Sequence, residues 1–216
     1  MSREELIKKE LEKTIGYVKY NNWSNRRTNY GYHSFNIDEI NILGQRNPKK
    51  RLNLYKDYVT FTNKNVVDFG SNVGGMLFHI PEIKQGVGFD FDINCINAAK
   101  NIKKILGYEN LNFYVFDFDK NDFNELKKFI LYKPDVIFIL SLGAWIKNNE
   151  GLFQFCIELG GVLILEVNSV KIGKSQVEFF ENRGFNTKLI IDNSDDDIIS
   201  MNKKSRRTYL IDLDGR

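Results

Sequence analysis

The run Val66-Val67-Asp68-Phe69-Gly70-Ser71-Asn72-Val73-Gly74-Gly75 constrains this chain more than any other segment. Four residues fit a buried strand, a glycine-punctuated turn follows, and twenty residues after Gly70 a second apolar strand ends in Gly88-Phe89-Asp90-Phe91-Asp92. A strand, a glycine-rich turn, a helix and a second strand ending in a carboxylate form the α/β unit that binds adenosine-containing ligands. A pyrophosphate needs bare backbone at the second glycine of a G-x-G-x-x-G turn, and Asn72 occupies that position here. Asp68, two residues before the first glycine, suits a ligand bearing positive charge better than one bearing phosphates.

The rest of the second half alternates in the same way. Apolar runs at 66–69, 87–91, 113–116, 136–140 and 162–167 read as buried parallel strands, being short and continuously apolar. Helical spacing separates them, most clearly over Ile93 to Leu106, and also over 123–131 and 152–159. Gly160-Gly161 closes the last of these. A helix over 174–181 and two final strands near 185–191 and 208–213 complete the chain, with a polar loop at 193–205. The first 63 residues are organised differently. Ser2 and Glu5 form a capping box ahead of an amphipathic helix from residue 3 to about 20. An aromatic-studded segment, 21–47, is too apolar for a free linker, and Pro48 opens a short helix with Leu52 and Tyr55 inward.

Asp-x-Gly-x-Asn-x-Gly after a strand, Gly-Phe-Asp at the next strand end and then Phe116-Asp117-Phe118 resemble the class I S-adenosylmethionine-dependent methyltransferases over roughly residues 64 to 168. The resemblance implies an α/β, Rossmann-like fold with a seven-stranded, mostly parallel sheet, an antiparallel last strand and helices on both faces. It makes 64–216 the S-adenosylmethionine-binding part and 1–63 a helical leader and lid within the same domain. The cofactor residues it implies are the turn Gly70, Ser71, Asn72 and Gly74, with Asp68 for the ammonium and Asp90 for the ribose hydroxyls. Asp92 is a reserve for Asp90. Asp117 and Phe118 are expected to meet the adenine, and Ser141 to face the cofactor after the fourth strand. The helix opening near Gly74 is expected to turn its first amides toward the cofactor carboxylate.

Methyl transfer from a sulfonium needs little from the protein beyond alignment and, for a hydroxyl acceptor, a base. His33 and Glu166 are the candidate bases, with Asp117 a third possibility: His33 sits in the aromatic leader, and Glu166 ends an apolar strand where an idle carboxylate is costly. His79, beside Pro81 in an apolar helix, reads as structural. Tyr32-His33-Ser34-Phe35, Gly44-Gln45-Arg46 and Arg51-Leu52 are similar to a segment of tRNA wobble-uridine methyltransferases and of small methyltransferases from surface-polysaccharide gene clusters. That similarity implies that Gln45 and Arg46 meet the cofactor carboxylate or an anionic substrate. Trp145, after the fourth strand, is the second candidate substrate contact.

Charge and composition narrow the acceptor. Residues 1–63 hold twelve Lys and Arg against seven Asp and Glu, giving +5, whereas 64–216 hold nineteen against twenty-one, giving −2, so the leader carries the positive charge of a chain at +3. Basic clusters at 26–27, 46–51 and 203–207 face either solvent or an anion. The expected function is O-methylation of a small sugar or nucleotide-linked sugar. RNA is the less favoured acceptor, since no counterpart of the tRNA enzymes' long amino-terminal extension is present, and a non-catalytic cofactor-binding module is the third reading. Cys95 and Cys156 form no framework, the histidines are far apart, and Asp195-Asp196-Asp197 reads as an exposed loop, so no metal site is expected. No apolar run is long enough to span a bilayer and the first residues are charged, which makes a cytoplasmic protein the expectation.

Overall fold

The computed structural model describes residues 1–14, 31–193 and 206–215. The second half of the helix expected to reach residue 20, the Arg26-Arg27 cluster, Lys203 to Ser205 and the Asp195 to Asp197 run lie outside the described residues. In chain order the elements are α1 (Arg3–Glu12), a hairpin of β1 (Phe35–Ile37) and β2 (Ile40–Ile42), α2 (Pro48–Tyr55), β3 (Asn65–Phe69), α3 (Gly75–Phe78), β4 (Gln85–Asp90), α4 (Ile93–Leu106) and β5 (Leu111–Val115). They continue with β6 (Val136–Leu140), α5 (Asn149–Leu159), β7 (Val162–Glu166), α6 (Val170–Glu181), β8 (Thr187–Ile191) and β9 (Thr208–Asp212).

Seven strands form one sheet in the order β5-β4-β3-β6-β7-β9-β8. The first five are parallel to one another, and β9 runs antiparallel to both β7 and β8. Strand order reverses between β3 and β6, which opens a crevice beyond their carboxyl ends. The expected helix at 123–131 is a single 3-10 run, Phe123–Lys128. The hairpin was not foreseen, because three-residue strands leave too short a run for alternation to show.

Side chains alternate between two cores. Val66, Phe138 and Ile164 point to the layer built by α1, the hairpin, α2, α3 and α4. Val67, Phe69, Ile137, Ile139, Leu163 and Leu165 point to the layer containing α5 and α6. Since successive residues of a strand face opposite sides, Asp68 shares a face with Val66 and Glu166 with Ile164. Asp90 likewise lies opposite Phe89, which belongs to the second core. Three strand-end carboxylates therefore turn toward the leader side of the sheet.

The leader is an integral wall of that side. The Ser2–Glu5 capping box forms, and Ile7 and Leu11 are fully buried against the sheet-covering layer. His33 and Arg46 form an isolated parallel bridge, with Ser34 N–H donating to Arg46 O (2.7 Å) and Arg46 N–H to Tyr32 O (2.7 Å). His79 links hairpin to sheet: its Nε2 accepts from Asn36 N–H (3.0 Å) while Nδ1 lies 2.7 Å from Gly75 O. Burial pushes this imidazole down to about 4, so it is neutral at pH 7 and the bonding pattern places its proton on Nδ1. Among the described residues no helix is long and apolar enough to cross a membrane.

The turn after β3 has little room. Gly74 sits at φ 77, and a methyl group there would lie 2.5 Å from Phe113 Cε1. Gly74→Ala is expected to destabilise the fold by about 1–3 kcal/mol through overpacking. Urea denaturation monitored by circular dichroism checks this as a lower midpoint at unchanged m-value.

Candidate functional site

Asp68, at the end of β3, is 2 % exposed and its Oδ2 has no hydrogen-bond partner. Burial lifts its carboxyl to about 7, against the pull of Arg51 and with a further push from Asp90. An orphaned buried acceptor is expensive unless something fills it. Across the turn, Asp90 Oδ2 accepts from Asn72 N–H (2.8 Å) and Oδ1 from Asp92 N–H (3.0 Å). Burial raises Asp90 to about 6 despite these bonds. Asn72 tolerates φ 51, a conformation asparagine reaches more readily than most residues, and so turns its N–H to Asp90. Ser71 is fully buried, its N–H bonds Phe89 O (2.9 Å), and its Oγ has no hydrogen-bond partner.

Several expected residues have other partners. Asp92 caps α4 through Oδ1, accepting from Asn94 N–H (2.8 Å), while its buried Oδ2 has no hydrogen-bond partner. Phe118 is 1 % exposed and its ring packs edge-on against Phe69 and Phe116, which removes it as a face for adenine. Asp117 pairs with Lys120 (2.8 Å) and accepts from Asp119 N–H (3.1 Å), an arrangement that ties a turn. The hydrogen bond from Lys120 lowers its carboxyl below the usual range, which leaves it a poor base. The sequence reading overlooked the apolar surface beside Asp90. Phe91, Ile93 and Val115 are all about half exposed, and Val115 pairs with Asp90 in the sheet. Apolar residues that continue past a strand's terminal carboxylate, as Phe91 and Ile93 do, are the signal for such a surface. The helix expected after Gly74 is a single four-residue turn, and a methyl group at Gly75 would lie 2.4 Å from His33 Cγ. That helix is too short and too covered to supply an anion site.

Glu166 lies at the end of β7 with 1 % of its surface exposed. Arg51 Nη2 donates to its Oε2 (2.7 Å) and Ser141 Oγ donates to Oε1. Arg46 Nη2 and Arg206 Nη1 lie 3.6 Å and 3.8 Å from Oε1. Burial works to raise this carboxyl, but Arg51 and Arg46 outweigh it and hold it below its ordinary 4.5. Burial likewise opposes the charge on Arg51, yet Glu166 holds that guanidinium well above its ordinary value. A carboxylate kept ionised by guanidinium groups takes up a proton reluctantly, so the geometry favours an organising role for Glu166 over that of a base. Ser141, with φ 57, uses its hydroxyl on Glu166 and its N–H on Glu166 O (2.8 Å). Arg46, expected on an open lid, is 1 % exposed within this cluster.

His33 is 3 % exposed, with Nδ1 lacking a hydrogen-bond partner and its ring 4.8 Å from that of Tyr32. Burial, then repulsion from Arg51, His79 and Arg46, pushes it well below 6.5. It is a neutral imidazole at pH 7. Trp145 stands 55 % exposed in the loop after β6. That loop touches the turn after β3: a methyl group at Gly70 would lie 3.1 Å from Leu142 Cδ1. An open groove of about 430 Å³ between α1 and α4, lined by Lys13, Lys100, Lys104 and three asparagines, contains none of these residues. No group of three or more potential metal ligands occurs among the described residues.

Comparison with solved structures assigns the architecture. The N-terminal domain of EvdMO1 with SAH bound superposes with a TM-score of 0.61 at 12% identity, covering 98% of this chain and 97% of that one. The chain has the class I methyltransferase fold. In the longer EvdMO1 structure it corresponds to 43% of the chain. The precorrin-6y C5,15-methyltransferase from Geobacter metallireducens shares the fold at 16% identity and TM-score 0.55, covering 74% of this chain and 84% of that one. Fibrillarin from Methanococcus jannaschii, a pre-rRNA processing protein, shares it at 15% identity and TM-score 0.53, covering 78% and 76%. No protein-family model and no curated protein matches the sequence. In the class I methyltransferase fold as built here, the crevice at the strand reversal is the one bordered by Asp68, Gly70 and Leu142.

Removing the charge of Glu166 tests the cluster. Glu166→Gln is expected to cost about 3–5 kcal/mol in denaturant unfolding, since it leaves buried guanidinium groups without their carboxylate. With a folded pKa below 4.5, the contribution of Glu166 is present at neutral pH and lost as pH falls below that value. The gap between the natural protein and Glu166→Gln should therefore narrow in acid.

Proposed function

We propose that the protein is an S-adenosylmethionine-dependent O-methyltransferase acting on a hydroxyl of a small acceptor, a sugar or nucleotide-linked sugar of the kind built into surface polysaccharides. The observation that carries the reading is the pair of buried carboxylates, Asp68 and Asp90, flanking a left-handed turn, with Asp68 Oδ2 unpartnered. An ammonium group is the natural complement of Asp68. Asp90, already oriented by Asn72 and Asp92 amides, has lone pairs left to accept from a ribose diol. Phe91, Ile93 and Val115 offer the apolar surface that a purine covers. The likeness to a domain with SAH bound supports the same cofactor.

S-adenosylmethionine, when bound, supplies a methyl group already activated by sulfonium charge. What remains for the chain is to hold both reactants in line and to remove a proton. His33 is the proposed base because its neutral imidazole carries an unpartnered Nδ1, although burial and the nearby Arg51 and Arg46 weaken its basicity. Glu166 and Ser141 are proposed to fix Arg46, Arg51 and Arg206 around the acceptor side of the crevice. RNA is the second reading, supported by the likeness to a pre-rRNA processing protein.

Asp68 gives the reading a pH signature. A carboxyl raised to about 7 is largely protonated below that value, whereas pairing with an ammonium needs it ionised. Cofactor affinity should rise about tenfold per pH unit approaching pH 7 from below and then level off. Calorimetry of S-adenosylhomocysteine from pH 5 to 8 reads this, and Asp68→Asn should flatten the profile. Asp90→Ala should weaken binding by about 1–3 kcal/mol; an unchanged affinity would remove Asp90 from the site.

His33→Gln should lower turnover about a hundred-fold or more with cofactor affinity intact, as expected when a general base is lost. Mass spectrometry of nucleotide sugars and unmodified RNA after incubation with labelled cofactor identifies the acceptor class. Methylated RNA without any methylated sugar nucleotide would overturn the favoured acceptor and establish its rival.

A further inference from the structure

The loop after β6 is pinned by side chains from two other loops and from its own last residue. Asn168, after β7, donates to Ser141 O (2.8 Å) and accepts from Ala144 N–H (3.0 Å). Asp119, in the loop after β5, accepts from both Lys147 N–H (2.7 Å) and Asn148 N–H (2.9 Å) through one oxygen. Asn149, at the start of α5, donates to Gly143 O (3.1 Å) and Ile146 O (3.0 Å). Trp145 N–H itself donates to Leu142 O (2.8 Å). Such a loop loses little freedom when a ligand arrives.

This rigid frame holds its largest apolar side chain in water. Trp145 is 55 % exposed, although burying an aromatic side chain contributes about 1.5–3 kcal/mol. The frame abuts the cofactor turn, since Leu142 fills the space beside Gly70. Two and three residues further along the loop, Lys147 and Asn148 are also exposed, and Asn148 Oδ1 caps α5 by accepting from Gly151 N–H (3.2 Å). Against the same loop at Gly143, Gln176 is 4 % exposed with Oε1 lacking a partner, while its Nε2 donates to Asn149 Oδ1 (3.3 Å). The loop thus combines one flat exposed apolar face, exposed polar side chains and an unfilled buried acceptor.

We propose that this loop is the acceptor platform, with the Trp145 indole stacking on the apolar face of a pyranose ring and Lys147 and Asn148 bonding its hydroxyls. Asp119 is a positioning residue that sets the height of the platform from the neighbouring loop. The proposal rests on the methyltransferase reading and adds the residues that choose the acceptor. A sugar ring fits better than a base. Base-binding surfaces stack successive bases on several aromatic side chains, and Trp145 is the only aromatic residue of the loop, residues 141–149. The exposed Lys147 ammonium and Asn148 amide N–H of the same loop are donors suited to scattered hydroxyls.

Trp23 and Trp145 are the two tryptophans, so in Trp23→Phe protein the fluorescence reports Trp145 alone. The probes are UDP-glucose, UDP-N-acetylglucosamine and GDP-mannose, with UDP and GDP as controls, all added to protein saturated with S-adenosylhomocysteine. The expected result is a saturable change with at least one nucleotide sugar and none with the free nucleotides. Should Trp23→Phe fold poorly, the difference between natural protein and Trp145→Phe gives the same signal. Trp145→Ala should weaken sugar binding tenfold or more in calorimetry, Trp145→Phe should keep most of it, and Asp119→Ala should fall between, all three with unchanged S-adenosylhomocysteine affinity. No saturable change with any sugar while S-adenosylhomocysteine still binds would overturn the platform, as would an equal response to UDP or GDP. Failure of the natural protein to bind S-adenosylhomocysteine at all would instead overturn the methyltransferase reading beneath it.

Discussion

The structure depends on one buried carboxylate. Glu166 stands at the end of a central strand where water cannot reach it, and an ion in that place is sustained only by charged and hydrogen-bonding partners. Those partners come from four parts of the chain: Arg46 from the end of the hairpin segment, Arg51 from α2, Ser141 from the end of β6 and Arg206 from the approach to β9. Each of these segments is therefore held in register with β7 by the same ion. The left-handed turn at Ser141 follows from it, because the residue's N–H and hydroxyl both bond Glu166. From Ser141 the chain enters the loop that carries Trp145, so the electrostatic centre also sets where the exposed indole stands.

Much of the sheet was legible beforehand because its physics is local. Val136 to Leu140 and the helix from Ile93 to Leu106 match to the residue, since one is an uninterrupted apolar run and the other is bounded by Asp92 as cap and Gly107 as stop. The turn after β3 was legible for the same reason: Gly70, Asn72 and Gly74 all take left-handed backbone, which few residues tolerate. The assignments that changed concern long-range partners. Nothing in Asp117-Phe118-Asp119 shows that Lys120 occupies the first carboxylate, that the ring turns into the core, and that the last carboxylate reaches across to Lys147 and Asn148. Arg51 looked like one of several surface cations. Only the packing of α2 over the sheet reveals that it faces Glu166.

Burial gives the site two kinds of ionisable group. His33 and His79 are driven toward neutrality and Asp68 toward protonation, whereas Glu166 is held charged. Groups pushed apart in this way take different tasks. The neutral imidazole keeps an unpartnered Nδ1, and the raised aspartate keeps an unpartnered Oδ2. The ionised glutamate keeps no such atom, because its charge is already used in holding the frame together.

The tight contact between His33 and Gly75 bears on how the leader can move. A ring packed against bare backbone, with the carbonyl of the same glycine bonded to His79 and the hairpin bonded to His79 in turn, ties the hairpin to the turn after β3. The segment from residue 31 to 47 is thus joined to the crevice wall at these two points. Because the same contact sets where the imidazole stands beside the turn after β3, a larger residue at position 75 would displace His33 as well as disturb the packing.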